Sequence, residues 1–388
     1  MARSHDMTSG SIWRSLLGFS IPIMISNLVQ STYNAVDMLF VGRFTGTESL
    51  AAVSVCGPIL NVMIITLSGM SAGVLVVISG LLGAGDIKQA QDAAHTSVAL
   101  YALMAAVMTV LGLLFVPQIL RLVQTPAAAM PEAKRYLYTV FAGTVFTFGY
   151  NLIGALQRGL GNAAASMSFV IISSAANIAL DAVFIVWLGM GAFGAALGTV
   201  LSQVAAFVIG TVQFARGGAA LRLSARAVRF HKKHLKNILL FGVPTALNEV
   251  MVNLAMLTVS GVANSFGLAS SAAYGVGSRI NSLAIFTDGA MNQTMSAYAS
   301  QNIGAGRQKR ALEGLWKAII LSAGAALGTS LLVLGFASEF SACFDSDPAV
   351  IEQSAAFLRV TVWSYPLFAT VGPLIAVSYT HLTLPTNR

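Results

Sequence analysis

Charge is what this chain has least of. Only 9% of its 388 residues are Asp, Glu, Lys or Arg, against 56% hydrophobic residues. A soluble globular domain carries about 25% charged residues, so this chain cannot cover a water-facing surface with polar groups. Cysteine is nearly absent as well. Cys56 and Cys343 stand far apart and offer neither a disulfide framework nor a metal-ligand cluster. The segment from Met1 to Ser11 lacks the apolar core and cleavage site of a signal peptide, so the first long apolar stretch is expected to remain as the first span. No Gly-x4-Gly-Lys-Ser/Thr, His-Glu-x-x-His, Cys-x-x-Cys or Gly-x-Ser-x-Gly motif occurs, and His95, His231 and His234 form no ligand set. These absences argue against a soluble enzyme, a secreted scaffold, a disordered protein and a P-loop ATPase.

What the chain does have is apolar length. Its mean hydropathy is +0.76, and apolar runs long enough to cross a hydrocarbon core of about 30 Å recur throughout. The reading is an all-α polytopic membrane protein. Apolar runs between charged or Gly/Pro-marked breaks predict ten helices, near 15–41, 50–81, 93–116, 133–156, 163–188, 192–214, 236–263, 270–302, 312–336 and 351–377. With the N-terminus placed inside, fifteen Lys and Arg between Arg3 and Lys317 fall on cytoplasmic segments. Five (Arg43, Arg121, Lys134, Arg135 and Arg359) fall outside. That asymmetry follows the positive-inside rule and predicts a cytoplasmic N-terminus. The net charge of +8 is read the same way, with a bilayer rather than nucleic acid as partner. The longest polar connection, 215–236, carries seven of the 22 basic residues and reads as an inner-face linker beside anionic headgroups.

That linker separates two copies of one unit. A shift of 221 residues places Gly83-Ala84-Gly85 on Gly304-Ala305-Gly306, Ala51-Ala52 on Ala272-Ala273, Ile59 on Ile280 and Ser79 on Ser300. A one-residue slip earlier in the chain sets Pro22 on Pro244. Both Gly-Ala-Gly segments end long apolar helices and read as helix terminators rather than phosphate loops. Internal repeats are common in secondary transporters, whose substrate sites lie between the repeats. The expected division is an N-terminal lobe of six helices (1–214), the linker (215–236) and a C-terminal lobe of four helices (237–377). The last eleven residues, 378–388, break the apolar pattern and look foreign to it; the expectation is a chain truncated there, two helices short of a full second copy.

Four acids fall inside predicted spans: Asp37, Asp181, Glu249 and Asp288. An intramembrane acid costs about 2.5–3.5 kcal/mol on insertion scales and is a functional candidate by default. Arg279 is the one basic residue well inside a predicted span, so it can neutralise at most one of them. The others must hold a proton, bind a cation or face water. Asn177 and Asp181 are four apart and share a helical face. A carboxylate beside a carboxamide oxygen suits a hard cation; a helix hydrogen bond between the two side chains is the plainer alternative. Asp37 could instead be a solvated outer-edge acid, and Glu249 an inner-mouth residue. Pro22 and Pro244 each remove a helix hydrogen bond and are candidate hinges.

These residues resemble a known family. Pro22 followed by Asn34-x-x-Asp37-x4-Gly42, then Arg158-Gly-Leu-Gly-Asn162, Asn177-Ile-x-Leu-Asp181-x-x-Phe184, Gly194-Ala195-Ala196-x-Gly-Thr199-x-x-Ser202-Gln203 and Gln301-Asn302-Ile-Gly304-Ala-Gly306 look like the multidrug and toxic compound extrusion (MATE) transporters, in the prokaryotic branch that includes the DNA-damage-inducible type. The resemblance implies a two-lobe fold of six plus six helices, of which about ten are present here. It implies export of organic cations and other amphipathic molecules in exchange for Na+ or H+ from a bacterial inner membrane, with no cofactor and as a monomer. It also implies a first-lobe cation site at Asp37, Asn177, Asp181 and Thr199, and loosely a second-lobe substrate or proton site at Glu249, with Asp288 as a further candidate. A flippase for lipid-linked sugars is the alternative within transport. It would need a basic cavity for pyrophosphate, which the run of acids does not offer.

Overall fold

A computed structural model describes residues 6–216, 221–284 and 286–383. Twelve α-helices account for most of it: α1 (Ile12–Phe44), α2 (Thr47–Gly83), α3 (Ile87–Leu122), α4 (Met130–Gly159), α5 (Ala163–Asp181), α6 (Gly191–Arg216), α7 (Lys232–Ser265), α8 (Leu268–Ala284), α9 (Phe286–Gly304), α10 (Gln308–Ala342), α11 (Pro348–Thr361) and α12 (Tyr365–Thr383). Among the described residues there is no strand. In a bilayer, which offers no water to exposed backbone groups, a chain without closed barrels has only this solution. Among the described residues, nine helical segments are long and apolar enough to cross a membrane, with α11 and α12 counted as one. Large apolar side chains such as Leu257, Leu331 and Val360 are exposed along the outer helix faces, where a bilayer would cover them.

The helices run past their apolar cores. α1 begins three residues before the predicted start and ends three after the predicted end, and α3 covers 87–122 rather than 93–116. A polar cap sets the start of α3, where Asp86 accepts from the Gln89 N–H, and another holds the start of α5, where Asn162 accepts from the Ala165 N–H. Such caps satisfy orphan N–H groups at helix starts irrespective of hydrophobicity. Two segments differ in kind. The predicted helix 270–302 is described as α8 and α9 on either side of residue 285, which lies outside the described residues. The span 351–377 breaks at a 3-10 turn, Val362–Ser364. α12 continues to Thr383, through the first residues of the polar segment 378–388, whose remaining residues, 384–388, lie outside the described residues.

The internal repeat is visible in the helix ends. Thr47 and Leu268 open α2 and α8, Gly83 and Gly304 close α2 and α9, and Ile87 and Gln308 open α3 and α10. Each pair is 221 residues apart. Thus α8 and α9 together repeat α2, and α10 repeats α3. Gly85 and Gly306 take positive φ, +73° and +72°, as helix-terminating glycines do. Their neighbours in the motif have a second role that spacing alone does not disclose. A Cβ on Gly83 would lie 2.0 Å from the Gln301 carbonyl oxygen, and one on Gly304 would lie 2.0 Å from that of Gly80. α2 and α9 therefore cross at backbone contact, each repeat presenting its terminal glycine to the other. Further along α2, Gly69 and Gly73 meet the α7 backbone at Gly242 and Ile238 in the same way.

The face that carries the N-terminus is also held by two polypeptide straps. The segment leading into α1 reaches the second half of the chain. The Met7 N–H donates to Gln301 Oε1 (2.7 Å), Asn302 Nδ2 donates to the Met7 carbonyl (3.2 Å), and the Arg310 guanidinium donates to the Ser9 carbonyl (2.8 Å). The segment leading into α7 reaches back to α3. The Arg222 N–H donates to Gln91 Oε1 (2.7 Å), the Ser224 N–H to His95 Nε2 (3.3 Å) and the His231 N–H to Thr96 Oγ1 (3.2 Å). Each repeat is thus tied to the other by the chain that precedes its first helix.

Candidate functional site

Between the two halves lies a cavity of about 620 Å³, large enough for a drug-sized molecule. Helices from both repeats line it: α1, α2, α4, α5 and α6 on one side, α7, α9 and α12 on the other. Asp37, Thr199, Glu249 and Asp288 are all in its wall. Four residues from four helices, far apart in sequence, therefore face one space.

Asp37 sits in the last third of α1. Its Oδ1 is buried and has no hydrogen-bond partner, which sets aside the reading of a fully solvated outer-edge acid. Asn177 and Asp181 lie deeper, at 1% and 0% exposure. Both amide atoms of Asn177 and both carboxylate oxygens of Asp181 are buried without a hydrogen-bond partner. The helix hydrogen bond considered for this pair is not formed. Asp181 closes α5, immediately before a π-helical turn, Ala182–Trp187, an irregularity often found at functional positions. α6 approaches it through Gly198, where a Cβ would come within 2.4 Å of Asp181 Oδ1. Thr199, the next residue, faces the cavity. Asn177 borders a second space of about 10 Å³, enclosed with Gln30, Tyr33, Tyr150 and Gln203, room for about one water molecule. Asp37 and Asp181 are within electrostatic reach of each other.

In the other half, Glu249 accepts a hydrogen bond from Ser68 Oγ of α2 (2.8 Å), so it stands at the seam between the repeats rather than at an inner mouth. Asp288 lies in the first turn of α9 with Oδ1 buried and unpartnered, packed where a Cβ on Gly372 of α12 would come within 2.5 Å. Pro22 and Pro244 lie inside α1 and α7, both of which continue through them. Pro58 and Pro117 are likewise inside helices, so an internal proline does not by itself mark these two.

The sequence reading did not single out the basic residue that lines the cavity. Among the described residues, Arg279 makes no ion pair with any acid; the ion pairs are Arg135 with Glu132 and His231 with Asp92. The basic side chain in the cavity wall is Arg158, which had been counted with the cytoplasmic loops because it falls in the last turn of α4. Its side chain folds back along the helix, so position along the chain hid its destination.

The MatE family model matches residues 22–183 and 244–378. The chain belongs to the MatE family. The two matched segments correspond to the two repeats, and the family is one of transporters rather than enzymes. This MatE chain is 30% identical over 371 residues to "Probable multidrug resistance protein YoeA" of Bacillus subtilis (strain 168), covering 92% of this chain and 79% of that protein. It is 27% identical over 364 residues to "Probable multidrug resistance protein YpnP" of the same strain, covering 94% and 81%. Among solved structures, a MATE protein in complex with MaL6 superposes with a TM-score of 0.91 at 25% identity, over 99% of this chain and 87% of that one.

Proposed function

We propose that this MatE transporter is a cation-coupled antiporter that exports small amphipathic and cationic molecules by alternating access, with Na+ or H+ as the coupling ion. The observation that carries the reading is Asp181, fully buried, with neither oxygen hydrogen-bonded and Asn177 equally unsatisfied one turn away. An ionised carboxylate left so would cost several kcal/mol. It is relieved by a proton, or by a hard cation that takes oxygens from Asp37, Asn177, Asp181 and Thr199. Either ion changes the charge of the first repeat's wall, and a cavity that has gained positive charge releases a cationic substrate. Glu249 and Asp288 supply negative charge to the same cavity from the second repeat. The names of the Bacillus relatives support a drug-sized substrate class.

In this reading the lobes are 1–214 and 237–377, joined by the basic linker 215–236. The N-terminal face is cytoplasmic and closed by the glycine crossings and straps, with Pro22 and Pro244 as bending points in α1 and α7. The chain acts as a monomer in a bacterial inner membrane, without a cofactor. A lipid-linked sugar flippase is disfavoured by three acids against one arginine in the cavity wall.

The test is ion-driven efflux from proteoliposomes. Asp37→Asn should abolish efflux driven by a Na+ or H+ gradient while membrane insertion and the amount of folded protein stay unchanged. Undiminished efflux in that variant would overturn the coupling role.

A further inference from the structure

The proposed ion chemistry leaves one charged group in the cavity unused. Arg158 lies in the last turn of α4, and its guanidinium runs back toward the middle of the helix: a Cβ on Gly154, one turn earlier, would sit 3.2 Å from Nη1. Helical side chains lean toward the N-terminus, and at the end of α4 that direction carries the charge away from the N-terminal face and into the cavity. Gly154 leaves the room for it.

The group is under-satisfied. Nη1 donates to Ser166 Oγ at 3.0 Å, while Nε is buried with no hydrogen-bond partner. Among the described residues no carboxylate lies within ion-pairing distance of it. A guanidinium has five donors and cannot shed its charge, and here Ser166 takes one donor, so the partly buried group offers its remaining charge and donors to an anion in the cavity. A second positive feature adjoins it. The first turn of α5 lines the cavity through Ala163 and Ser166, and that turn carries the positive end of the helix dipole. The acids are elsewhere on the wall. Glu249 is halfway along α7, Asp288 is in the first turn of α9, and Asp37 is toward the far end of α1. The cavity is therefore polar along its depth, positive at the floor beneath the α4–α5 corner and negative above it.

We propose that Arg158 is a substrate-binding residue that receives a carboxylate, and that the cavity favours amphoteric molecules, with an amine held by the acids and a carboxylate held at the floor. This rests on the cavity being the substrate cavity. A purely cationic solute satisfies the acids and leaves the arginine unneutralised, whereas an amphoteric one satisfies both ends. The planar fork of the guanidinium matches a carboxylate with two parallel hydrogen bonds. The hydrogen bond to Ser166 alone would give Arg158 only the role of tethering α4 to α5, and the experiment separates the two.

The probes are Nα-dansyl-lysine, which carries both an amine and a carboxylate, and its methyl ester, which keeps the amine and loses the acid. Binding to the purified full chain in nanodiscs is read by dansyl fluorescence anisotropy. The wild-type protein should bind the acid about tenfold more tightly than the ester. Arg158→Gln should bring the two affinities together by weakening the acid alone. Arg158→Lys, which keeps the charge and loses the fork, should retain part of the preference. Gly154→Ala, which crowds the guanidinium without removing it, should reduce the preference as well. Equal affinities in the wild type, or an undiminished preference in Arg158→Gln, would overturn the proposal while leaving the substrate cavity standing. Failure of both probes to bind the wild type would remove the cavity reading and this proposal together. The wild-type comparison needs no variant to fold.

Discussion

Asp181 and Gly198 show how far one side chain depends on the absence of another. The aspartate is enclosed because its neighbour on α6 has no Cβ; a methyl group there would overlap Oδ1 at 2.4 Å. Gly198→Ala should therefore displace the carboxylate and lower ion-driven efflux by about tenfold or more, matching the roughly 1–3 kcal/mol that overpacking costs. The chain should still insert and run as a monodisperse species on size exclusion. A normal efflux rate would mean that Asp181 can move without consequence, and the coupling role would then have to rest on Asp37. The acids were legible in the sequence because charge is so rare in an apolar chain that each instance stands out. Arg158 was not, because a basic residue next to a helix end follows the statistics of loop charges. Only the direction of its side chain distinguishes it.

Among the helices, α2 bears the heaviest constraint, since both halves of the molecule close on it. Gly83 and Gly304 were legible as repeat partners and as terminators, but their mutual contact was not. Two segments 221 residues apart can match in sequence without touching. Gly83→Ala and Gly304→Ala should each lower the melting temperature in detergent, at a cost of about 1–3 kcal/mol. Because both substitutions press on the same crossing, the double variant should cost less than the sum of the two. Strict additivity in thermal unfolding would show that the two glycines report separate contacts. The start of α3 was less well anticipated than the helix itself, because hydropathy follows the hydrocarbon while a capping residue such as Asp86 follows unsatisfied N–H groups.

The two straps turn a pair of repeats into a machine with a defined closed face. In the proposed alternating-access cycle that face parts, and the bonds from Met7 and Ser9 to Gln301, Asn302 and Arg310, with those from 222–231 to α3, would then break or stretch. Arg310→Ala removes the guanidinium that grips the Ser9 carbonyl and should shift the population toward an open N-terminal face. Spin labels at Lys88→Cys and Lys309→Cys, both exposed repeat partners at the starts of α3 and α10, with Cys343 replaced, would read this as a larger share of long distances. An unchanged distance distribution would show that the first strap is not a latch. The linker charge was read as headgroup attraction. The structure shows the same segment binding α3 through the backbone N–H groups of Arg222, Ser224 and His231, contacts that do not depend on side-chain charge.

Composition alone decided that this chain lives in a bilayer, because residues that are 56% hydrophobic and 9% charged leave no soluble alternative. The 221-residue repeat was equally a property of the linear order, since it needs only self-comparison. The acids were marked by their cost. What required three dimensions was everything set by approach: which acids share a cavity, that Asp181 and Asn177 remain unpaired, that repeat glycines touch, and that an arginine at a helix end points inward. Periodicity assigns a residue to a helix face, but which neighbouring helix covers that face, and how closely, depends on packing between segments hundreds of residues apart.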